Sequence, residues 1–186
     1  MASIVGLAKF QREEIAEPGT PGHNNYSRRH MHPRAEHLIS ELQLAPHPEG
    51  GYFRRVYASD TSVEAAGTSR PALTAIRFLL ARGQVSQWHR IDADECWHWQ
   101  EGDALELLEF DPGTAALTTT LLDRSGQGAP MHVIPAGRWQ AARPLGEYAL
   151  VACTVSPGFV WEGFEMLDGS SEVAAVLSRM GSYYLG

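Results

Sequence analysis

The strongest constraint on this chain is a succession of strand-length apolar runs separated by glycine- and proline-bearing turns. From Ala72 onward the runs are "ALTAIRFLL", "VSQWHRI", "ECWHWQ", "ALELLEF", "ALTTTLL", "MHVIPAG", "RWQAAR" and "YALVACTVSPGF". The separators include "ARGQ", "EGD", "DPGT", "RSGQG" and "PLGE". Many short strands at near-regular spacing predict an all-β sandwich or barrel. Several runs are apolar on both faces, as expected where a sheet is covered on both sides. Two segments depart from this pattern. "PRAEHLISELQL" places Leu38, Ile39 and Leu42 on one helical face, with Pro33 at a first-turn position. "SSEVAAVLSRM" spaces Val173, Leu177 and Met180 like a second helix. "YFRRVYA", after the Gly50-Gly51 turn, reads as a further strand. The fold class is therefore all-β with short flanking helices, without internal repeats or a glycine-rich phosphate loop.

Composition narrows the functional classes. No apolar run approaches the roughly 20 residues needed to span a bilayer, and no secretory leader is expected from "MASIVGLAKFQREEIAEPG", which lacks a basic stretch followed by a long apolar core. A formal net charge of −7 argues against nucleic-acid binding, which needs a concentrated basic surface. Cys96 and Cys153 have neither metal-binding spacing nor partners for a disulfide framework. They read as buried free thiols in a reducing compartment, so a cytoplasmic location is expected. Residues 1–32 are polar and rich in Pro, Gly and Asn, and are expected to be extended or disordered, with the His30-Met31 junction read as preceding a native start. The barrel is expected over 33–170, and a helix and tail over 171–186.

Chemistry concentrates in two places. "QWHRIDADECWHWQEG", residues 87–102, holds two histidines, three tryptophans and four acidic side chains. Strand alternation puts Glu95, Trp97 and Trp99 on one face and Cys96, His98 and Gln100 on the other. His98 reaches a pocket only if a bulge resets the register; otherwise it faces out, to a partner subunit or a backbone carbonyl. "HPEGGYFRR" brackets a Gly-Gly turn with His47, Glu49 and Arg54. Tyr52, Arg54 and Val56 share one strand face, and Phe53, Arg55 and Tyr57 the other. An inward Arg54 offers a fork for a carboxylate or phosphate, and an outward one offers ion pairs at an interface. Ser86 is a pocket-lining or strand-capping group. Arg77 is a pocket residue or a satisfied edge charge. Glu106 and Glu109 are expected to face solvent or a dimer rim.

Against the cupin pattern the first cluster becomes specific. Gly83, His89, Glu95 and Gly102 fall at the spacings of the first cupin motif, with Ile91 at its second histidine position. "PAGRWQ" supplies Pro135 and Gly137 of the second motif, with Gln140 at the histidine position and Pro144 at the asparagine position. With "PHPEGGYFR", "VIPAGRWQAAR" and "YALVACTVSPGF", the chain closely resembles the Cupin_5 (DUF985) family of the RmlC-like cupin superfamily over roughly residues 34–168. The resemblance implies a double-stranded β-helix (a jelly-roll barrel), a homodimer, and an internal pocket for a small-molecule ligand. It points His89 inward beside Glu95. Two strong imidazole ligands are missing, and a neutral amide is a weak one. The expectation is thus an enzyme without a metal cofactor, of the isomerase, epimerase, cyclase or lyase kind, acting on a small polar or anionic metabolite. His89 would be the acid or base, Glu95 its orienting partner and Arg54 an anion anchor. His98 is a further catalytic candidate. His47, Glu49, Tyr52, Ser86, Trp88, Trp97 and Gln140 would line the pocket. Two alternatives stay open: a metal-dependent cupin such as a dioxygenase, with His89, Glu95 and Gln140 holding Fe, Mn, Ni or Zn, and a non-catalytic ligand-binding or sensory module.

Overall fold

The structure is a computed structural model that describes residues 31–181; the N-terminal segment up to residue 30 and the tail from residue 182 lie outside the described residues. Helix α1 (Pro33–Glu41) begins where His32 accepts a hydrogen bond from the Arg34 N–H at 3.2 Å, with Pro33 in the first turn. The strands follow: β1 (Ala45–Pro46), β2 (Tyr52–Ala58), β3 (Ser62–Ala65), β4 (Thr68–Pro71), β5 (Thr74–Ala81), β6 (Ser86–Ile91), β7 (Asp94–Gly102), β8 (Leu105–Asp111), β9 (Ala116–Leu122), β10 (Met131–Ile134), β11 (Trp139–Pro144), β12 (Tyr148–Ser156) and β13 (Phe164–Met166). A 3-10 turn spans Trp161–Gly163, and helix α2 (Glu172–Arg179) closes the described chain. Ser171 caps α2 by accepting from the Ala174 N–H at 3.2 Å. Among the described residues no helix is long and apolar enough to cross a membrane.

Apart from the separate β3–β4 pair, the strands form two antiparallel sheets whose order departs from chain order, the jelly-roll pattern. The first runs β1-β2-β5-β12-β7-β10 and the second β13-β6-β11-β8-β9. Phe78, Trp97 and Val151 from the first sheet meet Leu105, Leu107 and Ala142 from the second in the enclosed core. Each sheet also carries a helix on its outer face, which explains the two-sided apolar runs. Helix α1 lays Leu38 against Leu79 and Leu150 of the first sheet. Helix α2 brings Leu177 against Trp88 and Trp139 of the second. Met180, expected on that apolar face, is instead the C-cap and is exposed. The polar stretch before "ALTAIRFLL" forms the β3–β4 hairpin, which no apolar period announced.

Register sets which side chains share the interior. On the first sheet Trp97 lies between Cys153 and His132, and Glu95 between Val155 and Ile134. On the second, His89, Gln140 and Glu109 form one row across β6, β11 and β8. Between His89 and Ser86 the β6 strand advances three residues while β11 advances two, from Gln140 to Ala142. This bulge turns both Ser86 and His89 inward, where strict alternation would oppose them.

Candidate active site

Glu49 reaches the interior because of the two glycines behind it. Gly50 and Gly51 have φ of 110° and 71°, and a Cβ on Gly50 would collide with the Val85 carbonyl. Only glycine accepts that conformation and that approach. The turn presses against the β6 bulge, where the Gln87 N–H donates to the Glu49 carbonyl at 2.8 Å. The Glu49 side chain then lies buried between the sheets. Its Oε1 accepts from the Ser86 hydroxyl at 2.9 Å, and its Oε2 is 3.2 Å from His89 Nε2.

The hydrogen-bond partners determine the protons. His89 Nδ1 is 2.7 Å from the Gln87 carbonyl, which only accepts, so Nδ1 carries hydrogen. Burial lowers the His89 pKa, against opposing effects from Glu95 and that backbone carbonyl. The imidazole is therefore neutral, with a lone pair on Nε2. Burial pushes Glu49 up to about 8, with the Ser86 bond acting against it. Near neutral pH Glu49 is thus protonated and donates Oε2–H to His89: a neutral hydrogen bond rather than an ion pair. His47 completes the group. Its Nδ1 accepts from the Glu49 N–H at 3.3 Å, and burial, then the proximity of His89, pushes it down to about 3.

Glu95 enters from β7 on the opposite sheet. The Trp97 indole N–H donates to Gln140 Oε1 at 2.9 Å, so the Gln140 amide nitrogen faces Glu95 and donates to its Oε2 at 2.6 Å. The Cys153 thiol is hydrogen-bonded to the same carboxyl. Burial lifts Glu95 to about 7; His89, Gln140 and Cys153 oppose the rise, and Glu49 adds to it. Two buried carboxyls and a neutral imidazole lie within electrostatic reach of one another between the sheets, each carboxyl poised near neutral pH.

An aromatic rim packs against the two histidines. The Phe164 ring stacks on His89 at 5.5 Å, and Trp161 stacks on His47 at 6.1 Å. Phe159 meets Trp161 edge-on at 5.1 Å, and Trp161 meets Phe164 at 5.4 Å. Trp161 remains 47% exposed. The Arg55 guanidinium lies 5.8 Å from the Phe159 ring centre.

Of the residues named from sequence, the structure brings His47, Glu49, Ser86, His89, Glu95, Trp97 and Gln140 together. It separates four others. His98 sits on the outer face of the first sheet, 3.3 Å from Thr154 Oγ1, because β7 keeps strict alternation there. Tyr52 packs on the outer face with the α1 cluster. Arg54 follows it outward and donates to Gln43 Oε1 at 2.5 Å, away from Glu49 and His89. Trp88 also points outward, packed against Leu177 beneath α2. The carboxyl within hydrogen-bond reach of His89 is that of Glu49 rather than Glu95. Glu109, expected at the surface, is buried and bonded to His132, at 3.1 Å, and to Arg138. The sequence reading missed the Phe159–Trp161–Phe164 rim and the interior role of Cys153. The aromatic density of "GFVWEGFEM" after the last long strand was the available signal.

Cupin resemblance implies a transition-metal site of three histidines and a carboxylate. The residues present do not fit it. Ile91 supplies hydrocarbon at one position, Gln140 turns an N–H rather than an oxygen toward Glu95, and His89 Nε2 is engaged with Glu49. Among the described residues, no three His, Cys, Asp or Glu side chains converge as ligands of one ion. The set His89, Glu95 and Gln140 is therefore not assembled for a metal.

An antiparallel jelly-roll with a cluster of buried polar side chains between its sheets defines a cupin. The family model described as Cupin superfamily (DUF985), Cupin_5, matches residues 36–167, and the chain belongs to that family. Two solved structures share the fold over most of their length. A hypothetical protein from Leishmania major is 29% identical, with a TM-score of 0.73, over 81% of this chain and 96% of that one. Protein SO0799 from Shewanella oneidensis is 31% identical, with a TM-score of 0.70, over 81% and 94%. Bacillus subtilis oxalate decarboxylase is 14% identical, with a TM-score of 0.51, over 73% of this chain and 34% of that one, a likeness of fold alone. No curated protein matches.

Proposed function

We propose that this cupin is a metal-independent acid/base enzyme of the isomerase, epimerase, cyclase or lyase kind, acting on a small molecule bound between the sheets. The observation that carries the reading is the buried Glu49–His89 contact of 3.2 Å, facing a second buried carboxyl. Ionised Glu95 takes a proton from a carbon or hydroxyl of the substrate, and protonated Glu49 returns one at the neighbouring atom. His89 holds the Glu49 proton in place through Nε2, its own ring fixed by the Gln87 carbonyl. Both carboxyls lie near the working pH, where proton transfer is most efficient. The same proposal pairs two copies of the chain through the outer face of the first sheet and places them in the cytoplasm.

The test is solvent-deuterium exchange. The protein is incubated in D2O with a panel of small ketones, sugars, amines and hydroxy acids, and loss of C–H signal is followed by proton NMR. Wild type is expected to exchange at least one compound, and Glu95→Gln to slow that exchange by roughly 10²–10⁴-fold. No exchange, together with a co-purified ligand released unchanged, would leave a binding module in place of an enzyme.

A further inference from the structure

The charges inside the chamber are one-sided. Glu49 faces Ser86 and His89 from β6 and His47 from the preceding turn. Glu95 faces Gln140 from β11 and Cys153 from β12, and lies within electrostatic reach of His89 and Glu49. Among these described partners there is no lysine or arginine. Both carboxyls are buried, at 6% and 7% exposure. Two acids are thus held near each other without a cation, and both imidazoles are kept neutral by burial. The rim adds aromatic faces, and one of them, Phe159, already carries the Arg55 guanidinium. Aromatic faces favour cations that must shed water, and a formal net charge of −7 draws cations toward the surface.

We propose that the chamber takes a ligand bearing a cationic nitrogen, an alkylammonium group that passes the Trp161–Phe164 rim and seats against Glu49 and Glu95. The inference rests on the reading above that this chamber is the ligand site, and it replaces the anionic metabolite expected from sequence. The ammonium supplies the counter-charge that the protein withholds. Binding then releases a proton from a carboxyl, so affinity rises with pH.

The experiment compares benzylamine, benzyl alcohol and benzoate, which share a ring and differ in charge. Each is titrated into the full-length wild-type protein by calorimetry at pH 6, 7 and 8. Benzylamine is expected to bind at least about tenfold more tightly than the others, gaining up to about tenfold per pH unit while the carboxyl is protonated. Glu49→Gln and Glu95→Gln, checked for folding by circular dichroism, should each weaken benzylamine about tenfold or more and flatten its pH dependence. Benzoate binding more tightly, strengthening as pH falls and lost in Arg55→Gln, would overturn the proposal in favour of an anion at the rim. Equal affinity for all three, or binding of none, would overturn it as well. The two readings fail separately. Tight, pH-linked amine binding without deuterium exchange sinks the catalytic reading alone. Exchange on neutral or anionic compounds without amine binding sinks only the ligand class.

Discussion

Glu49 and His89 form one proton-sharing unit, and its consequences for stability can be worked out with sign. Glu49 rises from 4.5 to about 8 and Glu95 from 4.5 to about 7 on folding. Between those values the folded chain binds protons that the unfolded chain has lost, so their contribution to stability falls as pH rises. His47, lowered from 6.5 to about 3, and His89, also lowered, act oppositely. Below 6.5 the unfolded imidazoles bind protons that the folded ones refuse, so stability falls as pH drops. The two pairs act against one another between 4.5 and 6.5, so the urea midpoint should change least there and decline on either side. Glu49→Gln keeps a donor toward His89 Nε2 and an acceptor for Ser86 but cannot ionise. Relative to wild type it should therefore gain about 1.4 kcal/mol per pH unit above pH 4.5, until Glu49 titrates in the folded wild type near pH 8. Urea unfolding at half-unit steps from pH 5 to 8 reads this directly, and parallel curves for the two proteins would mean Glu49 is ionised in the fold. The same values predict the rate: exchange should peak between about pH 7 and 8, as Glu95 ionises and before Glu49 does. His89, Glu95 and Gln140 were legible from spacing. The choice of Arg54 over Arg55 was not, because alternation defines two faces without saying which one a helix will cover. Helix α1 covers the Tyr52 face, and so Arg55 borders the pocket.

Strand and helix placement was largely legible, since each apolar run from "ALTAIRFLL" onward became a strand. What the period did not reveal is where it breaks. A bulge does lie in β7 near His98, where Val151 pairs with Trp99 and Leu150 with Glu101, but it falls beyond His98 and leaves that side chain outward. The shift that turns site residues inward lies in β6 between Ser86 and His89. A bulge depends on the partner strand's register, which is a long-range property. The β3–β4 hairpin was missed because its strands are short and polar, held by backbone pairing rather than by an apolar face. Helix α2 has eight residues, too few to be stable alone. Docking holds it, chiefly through Leu177, which is fully buried against Trp88 and Trp139. Leu177→Ala should cost about 2–5 kcal/mol, read as a lower urea midpoint at unchanged slope. Its cavity opens on the outer face of the second sheet, so benzylamine affinity well below the midpoint should stay within about twofold of wild type. A large loss of affinity would show that α2 supports the chamber as well as the sheet.

Among the described residues, a helix covers only part of the outer face of the first sheet. Helix α1 shelters the end of the first sheet that carries Leu79 and Leu150. Beyond it the register lays out two outward rows: Arg54, Arg77, Ala152, His98 and Met131, then Tyr57, Ala75, Thr154, Cys96 and Val133. Tyr57, Met131 and Val133 are each more than 40% exposed, as is Val56 at the β2 bulge. Apolar side chains grouped on a flat sheet face suit a self-complementary contact, in which each row meets its symmetry mate. This is where the proposed homodimer would close, and it gives His98 a place at an interface instead of in the chamber. Val133→Asp puts a charge into the middle of that contact. Val133 points away from the interior, since its neighbours His132 and Ile134 take the inward positions, so the variant should fold normally and keep the pH-dependent stability of the wild type. Light scattering after gel filtration should show wild type at twice the chain mass and Val133→Asp at the chain mass under the same loading. A wild type that runs at the chain mass, or a variant that still pairs, would remove this face as the interface and return His98 to a plain hydrogen bond with Thr154.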